Sequence, residues 1–161
     1  REKWVLALKE RDTSGDALNR ALQEGVYLIK PNYRGFRDLV GQDIKEDSQI
    51  EAEAVKMVKS GRCEILVISL GPAGALLVSE GVVEHIRPPT VPIVSKGGAG
   101  DSMVAGTVLS LARGKTPRDS VLFGIAAGAA AVMTPGSELC RAGWDDRATR
   151  LARGARAPGR H

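Results

Sequence analysis

Apolar positions along the chain alternate between two textures. Short unbroken runs, Val26-Tyr27-Leu28-Ile29 and Ile65 to Leu70, have strand length and suit a sheet covered on both faces. The first run ends at Lys30-Pro31-Asn32, since proline cannot continue a central ladder. Around these runs lie stretches with helical spacing. Ser14 to Glu24 predicts a helix capped by Thr13 or Ser14 and stopped at Gly25. Phe36 to Val40 predicts one helical turn closed by Gly41. Between Asp47 and Ser60, the residues Ile50, Ala54, Val55 and Val58 share a face, charges fill the other, and Gly61 terminates the helix. Ala75 to Val78 and Val82 to Ile86 predict a hairpin around Ser79-Glu80-Gly81. Two further apolar helices are predicted over Ser102 to Ala112 and Ser120 to Met133. Strands alternating with helices predict an α/β layered fold with a largely parallel sheet.

Composition narrows the class without changing this picture. The chain of 161 residues has one domain's worth of core, with 43% hydrophobic and 26% charged residues. Its net charge of +4 invites a nucleic-acid reading, but five arginines crowd residues 147–161 (147, 150, 153, 156 and 160) and more than account for the excess. The basicity therefore belongs to a terminal segment, expected to be a flexible, solvated tail, and no nucleic-acid partner is assigned. Cys63 and Cys140 show neither CxxC nor His spacing, so reduced structural thiols are expected rather than a disulfide framework or zinc site. The longest apolar stretch, Val121 to Met133, is too short to span a bilayer, and no signal-peptide pattern opens the chain. A cytoplasmic location with no membrane partner is expected. The start at Arg1, without an initiator Met, hints at a fragment.

Two phosphate-binding patterns almost form. Gly114-Lys115-Thr116 ends like a P-loop, yet Leu109 stands where that motif needs glycine. Gly98-Ala99-Gly100 begins like a dinucleotide fingerprint, but Met103 occupies the third glycine position. What remains is Gly97-Gly98-Ala99-Gly100-Asp101 directly before an apolar helix. Small residues let backbone approach a ligand closely, and N–H groups at a helix N-terminus attract anions. Asp101 at that boundary has two readings. Spacing alone favours a helix cap. The alternative is a general base that takes a proton from a substrate hydroxyl while neighbouring N–H groups stabilise a transferring phosphoryl group.

The longer string Gly98-Ala99-Gly100-Asp101-Ser102-Met103-Val104-Ala105-Gly106 resembles the GAGD signature of PfkB/ribokinase-type carbohydrate kinases. Three more stretches fall in that family's order. Lys30-Pro31-Asn32 resembles its KPN strand end, and Ser69-Leu70-Gly71-Pro72-Ala73-Gly74-Ala75 its SLGPxGA nucleotide turn. Phe123-Gly124-Ile125-Ala126-Ala127-Gly128-Ala129-Ala130 followed by Gly136-Ser137-Glu138-Leu139-Cys140 resembles the helix and loop on the adenine side, most similar to the 6-phosphofructokinase branch.

The resemblance spans about Asp12 to Asp146 and implies the C-terminal, ATP-binding and catalytic half of such a kinase, within residues 1–146, with the basic tail at 147–161. It implies part of a three-layer ribokinase-like fold, with a mostly parallel sheet and helices on both faces. By this resemblance Asp101 is the base, and Gly98, Ala99 and Gly100 form the anion hole. Lys30 and Asn32 lie near the ATP phosphates and Mg2+; Ser69, Gly71 and Gly74 wrap the nucleotide; Ala129, on the Gly/Ala-rich face of the last helix, admits the adenine. No metal-ligating side chain is assigned. The implied partners are ATP and a hexose phosphate, with fructose 6-phosphate as acceptor, and self-association through exposed sheet edges. Taken singly, each residue also has a structural reading: Lys30 a surface charge, Asn32 a helix cap, the glycines an ordinary loop, the alanines helix packing.

The pattern departs from the family at three places. Gly35 stands where a Glu linked to magnesium and phosphate handling is usual, with Arg34 beside it. Lys96 and Gly97 replace the Thr and branched residue before GAGD, where some relatives have a monovalent-cation loop. Lys9-Glu10-Arg11 is charged where relatives carry an apolar strand. The family's N-terminal half, with most sugar contacts, has no counterpart in these residues. Phosphoryl transfer needs a positioned acceptor and excluded water, so the chain alone is expected to be a weak or inactive kinase. A degenerate, non-catalytic nucleotide-binding module is the competing expectation.

Overall fold

The computed structural model describes residues 5–7, 20, 22–41, 43–95 and 97–133. The chain divides into two compact units, residues 1–86 and 87–161.

The first unit is built on a five-stranded sheet in the order β1-β2-β3-β4-β5, formed by Val5–Ala7, Val26–Lys30, Cys63–Ser69, Ala75–Ser79 and Val82–Ile86. Strands β1, β2 and β3 are parallel, with Leu28 opposite Val5 on one side and Ile65 on the other. Strands β3, β4 and β5 pair antiparallel, with Leu66 opposite Val78 and Leu76 opposite His85. The sheet is thus mixed rather than largely parallel. The reason is local: the Glu80-Gly81 turn and the short connection from Ser69 to Ala75 are too short for a crossover, so they can only join antiparallel neighbours. Strand β1 goes beyond the sequence reading. Three residues are too few for an alternating pattern to register.

Helix α1, Tyr33–Val40, has two turns where one was expected. Its first turn is Tyr-Arg-Gly, which carries little apolar signal, but Asn32 caps it and Phe36 N–H donates to the Asn32 carbonyl at 2.9 Å. Phe36 is fully buried, and Gly41 ends the helix in the left-handed region with its N–H on the Arg37 carbonyl. Helix α2, Asp47–Lys59, buries Ile50, Ala54 and Met57. The buried stripe therefore runs at i, i+4 and i+7 through Met57, while Val55 and Val58 flank it half-buried. Leu66, Ile68, Leu76 and Val78 from the sheet pack with Ile29, Phe36, Ile50, Ala54 and Met57 in one core. Ile65, Val67 and Leu77 point to the opposite sheet face and are buried as well. Such a core is intolerant of truncation: Leu66→Ala costs about 2–5 kcal/mol.

The second unit holds helices α3, Ala99–Ala112, and α4, Pro117–Val132. Each begins three residues before its predicted start. The glycines Gly98 and Gly100 have low helix propensity, and Pro117 is tolerated only because it is the first helical residue. Thr116 caps α4 by accepting from Asp119 N–H at 3.1 Å. The two helices pack in near backbone contact, in opposite chain senses, with Ala99 against Gly128 and Thr107 against Gly124. No helix among the described residues is long and apolar enough to cross a membrane.

Most of the helix expected over Ser14 to Glu24 lies outside the described residues; Leu22 to Glu24 are helical and lead to Gly25. Lys96, the 136–140 loop with Cys140, and the 147–161 tail also lie outside them.

Candidate functional site

In the first unit the candidate residues gather at the carboxyl ends of two neighbouring parallel strands. Lys30 is the last residue of β2 and Ser69 the last of β3. Open α/β sheets present ligands at that edge, where strands give way to loops. Pro31 extends the ladder one step, its carbonyl accepting the Ser69 N–H at 3.0 Å, and Asn32 forms a parallel bridge to Ser69. The side chain of Asn32 turns to helix α1, where its Oδ1 accepts the Gly35 N–H at 2.7 Å.

Beyond Ser69 the chain makes a 3-10 turn, Gly71–Ala73, that closes on itself. Leu70 N–H donates to the Gly74 carbonyl at 2.8 Å, and Gly74 N–H to the Gly71 carbonyl at 3.0 Å. Gly74 has φ 100° and ψ −131°, a conformation that a side chain would strain severely. Gly71 and Ala73 are exposed, so the turn presents its backbone to solvent. Lys30, Asn32, Ser69, Gly71 and Gly74 are thus brought to one edge of the first unit.

The second unit holds Gly98, Ala99, Gly100, Asp101 and Ala129. The segment entering the turn is tied to the end of α4: the Val132 carbonyl accepts from Val94 N–H at 2.7 Å and Ser95 N–H at 3.0 Å. Gly97 N–H then donates to Ser95 Oγ at 3.3 Å. Gly98 sits at φ 79° as the N-cap of α3, and its carbonyl accepts the first helical bond, from Ser102 N–H at 2.9 Å. The cap is therefore Gly98, and Asp101 is an exposed residue of the first turn. The reading of Asp101 as the helix cap is corrected: the backbone reverses two residues earlier than the apolar pattern suggested, because Gly98 adopts the left-handed geometry that starts the helix.

The N–H groups of Ala99 and Gly100 precede that first helical bond. They point out of the positive end of the helix, where an anion is favoured. A Cβ added at Gly98 or Gly100 would meet nothing within 4 Å, so the space beside both is open. The turn offers room and donors for a phosphate, with one carboxylate adjacent.

Ala129 is half-buried near the end of α4. Its neighbours Gly124 and Gly128 are buried and face α3. Their smallness serves helix packing first, a role that the sequence string had merged with the adenine side. The signal for it was present as small residues spaced i, i+4.

A divalent cation finds a poorer fit. Among the described residues no three His, Cys, Asp or Glu side chains come together. At the KPN end, Gly35 offers no carboxylate and uses its N–H to hold the Asn32 oxygen. Cys63 is buried in the core, where desolvation pushes its thiol up to about 12, which leaves it inert as a ligand or nucleophile.

The pattern of the pfkB family of carbohydrate kinases matches residues 6–142. The ATP-dependent 6-phosphofructokinase isozyme 2 of Escherichia coli K12 is 40% identical over 130 residues, covering 80% of this chain and 42% of that protein. The crystal structure of phosphofructokinase-2 from Escherichia coli in complex with substrates and products superposes with a TM-score of 0.81 at 34% identity, over 95% of this chain and 47% of that one. Ribokinase from Thermotoga maritima, at 21% identity and TM-score 0.73 over 91% of this chain and 48% of its own, shares the fold. The chain spans less than half the length of these relatives. On sequence and fold, the chain belongs to the pfkB family of carbohydrate kinases.

Proposed function

We propose that this chain is the nucleotide-binding and catalytic portion of an ATP-dependent kinase acting on a sugar phosphate, with fructose 6-phosphate as acceptor. The observation that carries the reading is the turn at Gly98–Asp101, where open donor N–H groups, a helix N-terminus and an exposed carboxylate occur within four residues. Asp101 takes the proton from the acceptor hydroxyl. The hydroxyl oxygen then forms its bond to the γ-phosphorus as the bond from that phosphorus to the β–γ bridging oxygen breaks, and ADP leaves with the electron pair. The N–H groups of Ala99 and Gly100 hydrogen-bond the phosphoryl oxygens as charge develops on them. By the family resemblance, Ser69, Gly71 and Gly74 are assigned to binding the nucleotide, Lys30 and Asn32 to its phosphates, and Ala129 to the adenine. The acceptor is assigned on the likeness to the 6-phosphofructokinase of Escherichia coli.

Mg2+ enters this reading as a companion of ATP and not as an ion held by side chains, because the donor set around Gly35 does not fit one. The same observation favours a second reading, a nucleotide-binding module without turnover. We therefore expect ATP binding with weak or no turnover by the chain alone.

Two measurements separate these readings: ATP binding by calorimetry, and ADP release with fructose 6-phosphate in a coupled assay. Absence of ATP binding sinks both. Robust turnover that Asp101→Asn abolishes would establish the kinase reading and overturn the expected inactivity of the isolated chain.

A further inference from the structure

Gly128 is buried in α4 against the first turn of α3. A Cβ built on it would lie 3.0 Å from the Ala99 carbonyl oxygen and 3.5 Å from Met103 Cβ. The Ala99 carbonyl and the Gly100 N–H are two ends of one planar peptide unit. Whatever seats the oxygen also sets the direction of the N–H at the other end. At Gly100 the space is open, whereas at Gly128 it is filled by the Ala99 backbone. The same helix holds the approach to the turn, through the Val132 carbonyl that takes Val94 and Ser95 N–H. Helix α4 therefore grips the Gly98–Gly100 turn both before it and at its first helical peptide.

We infer that Gly128 is a positioning residue for phosphate binding. Its missing side chain lets the Ala99–Gly100 peptide seat directly on α4, and that seating aims the Gly100 N–H at the phosphate. The inference rests on the phosphoryl-transfer reading of this turn. It gives Gly128 a task distinct from the adenine side, acting on the phosphate end through one peptide plane.

A methyl group at Gly128 would displace the Ala99 oxygen by a few tenths of an ångström and tilt the Gly100 donor. Gly106→Ala is the matched control, since its Cβ would crowd the same helix pair at 3.0 Å from Ala127 Cβ and 3.2 Å from Gly124 Cα, away from the turn. The full chain is titrated with ATP and, separately, with adenosine, and the Gly100 amide is followed by NMR. Gly128→Ala is expected to lose about three- to tenfold in ATP affinity, the worth of one weakened hydrogen bond, with adenosine affinity unchanged. The ATP-induced shift of the Gly100 amide should shrink in the same variant. Gly106→Ala should lower stability while keeping the wild-type ratio of ATP to adenosine affinity. A Gly128→Ala chain with the wild-type ratio and the wild-type Gly100 shift overturns the inference and leaves the phosphate reading standing. A wild-type chain that does not prefer ATP over adenosine overturns both. Should Gly128→Ala fail to fold, the wild-type titration decides: Gly100 and Gly128 must shift together, and a silent Gly128 beside a shifting Gly100 refutes the coupling.

Discussion

Asn32 Oδ1 accepts the Gly35 N–H at 2.7 Å, so this strand-end residue holds the first turn of α1. The bond links two features of the sequence, the KPN strand end and the missing acid at Gly35. Loss of this cap in Asn32→Ala should cost about 1 kcal/mol, while Asn32→Asp keeps an acceptor oxygen in place and should cost less. Urea unfolding of the three proteins measures both. Equal stability of wild type and Asn32→Ala would remove the cap from the account.

The absence of a carboxylate at Gly35 makes a prediction about metal dependence. ATP affinity of the wild-type chain should change little when Mg2+ is added, beyond what ATP itself contributes. Gly35→Glu should make that affinity more dependent on Mg2+, at some cost from its Cβ, which would stand 3.1 Å from Asn32 Oδ1. Calorimetry at several Mg2+ concentrations compares the two. A wild-type chain that already binds Mg2+ tightly without nucleotide would contradict a donor set that lacks a carboxylate at Gly35.

At Gly124 helices α3 and α4 approach too closely for a side chain. A Cβ there would collide with Thr107 Oγ1 and lie 2.5 Å from the Met103 carbonyl oxygen. Gly124→Ala should therefore destabilise the fold by roughly 1–3 kcal/mol, even though alanine is the better helix former. Removing the threonine hydroxyl in a Thr107→Ala background should relieve only part of this, because the Met103 carbonyl is backbone and cannot step aside. Full recovery in the double variant would contradict the packing described.

Burial of Cys63 predicts how stability responds to alkaline pH. Its folded pKa is raised, from 9.0 to about 12, by desolvation. The stabilisation that this neutral thiol provides is complete below pH 9 and is lost as pH climbs from 9 towards 12, because the unfolded thiol ionises first. The slope approaches one proton, about 1.4 kcal/mol per pH unit, at its steepest. The difference between wild type and Cys63→Ala, measured by unfolding from pH 7 to 11, isolates this group from the lysines and tyrosines. A difference that does not vary with pH would mean that the thiol titrates normally. A thiol reagent should label Cys63 only when the chain unfolds.

The sequence by itself determined much about this protein. Runs such as Ile65 to Leu70 marked buried strands, because an unbroken apolar run of that length suits a sheet covered on both faces. Gly41 and Gly81 marked chain reversals, and four ordered strings named the family. It also put Gly98 to Asp101 directly before an apolar helix, because the helical spacing begins only at Ser102. What it left open follows from one physical fact: spacing along a chain carries no information about the neighbour across a contact. Only the tertiary structure decided that Gly98 rather than Asp101 caps α3, because that depends on where the backbone turns left-handed. Only it showed Met57 completing the buried stripe of α2, since the sheet beneath fixes which side of the helix is covered. And only it separated Gly128 from its alanine neighbours, by laying the Ala99 carbonyl oxygen 3.0 Å from where a Cβ at Gly128 would stand.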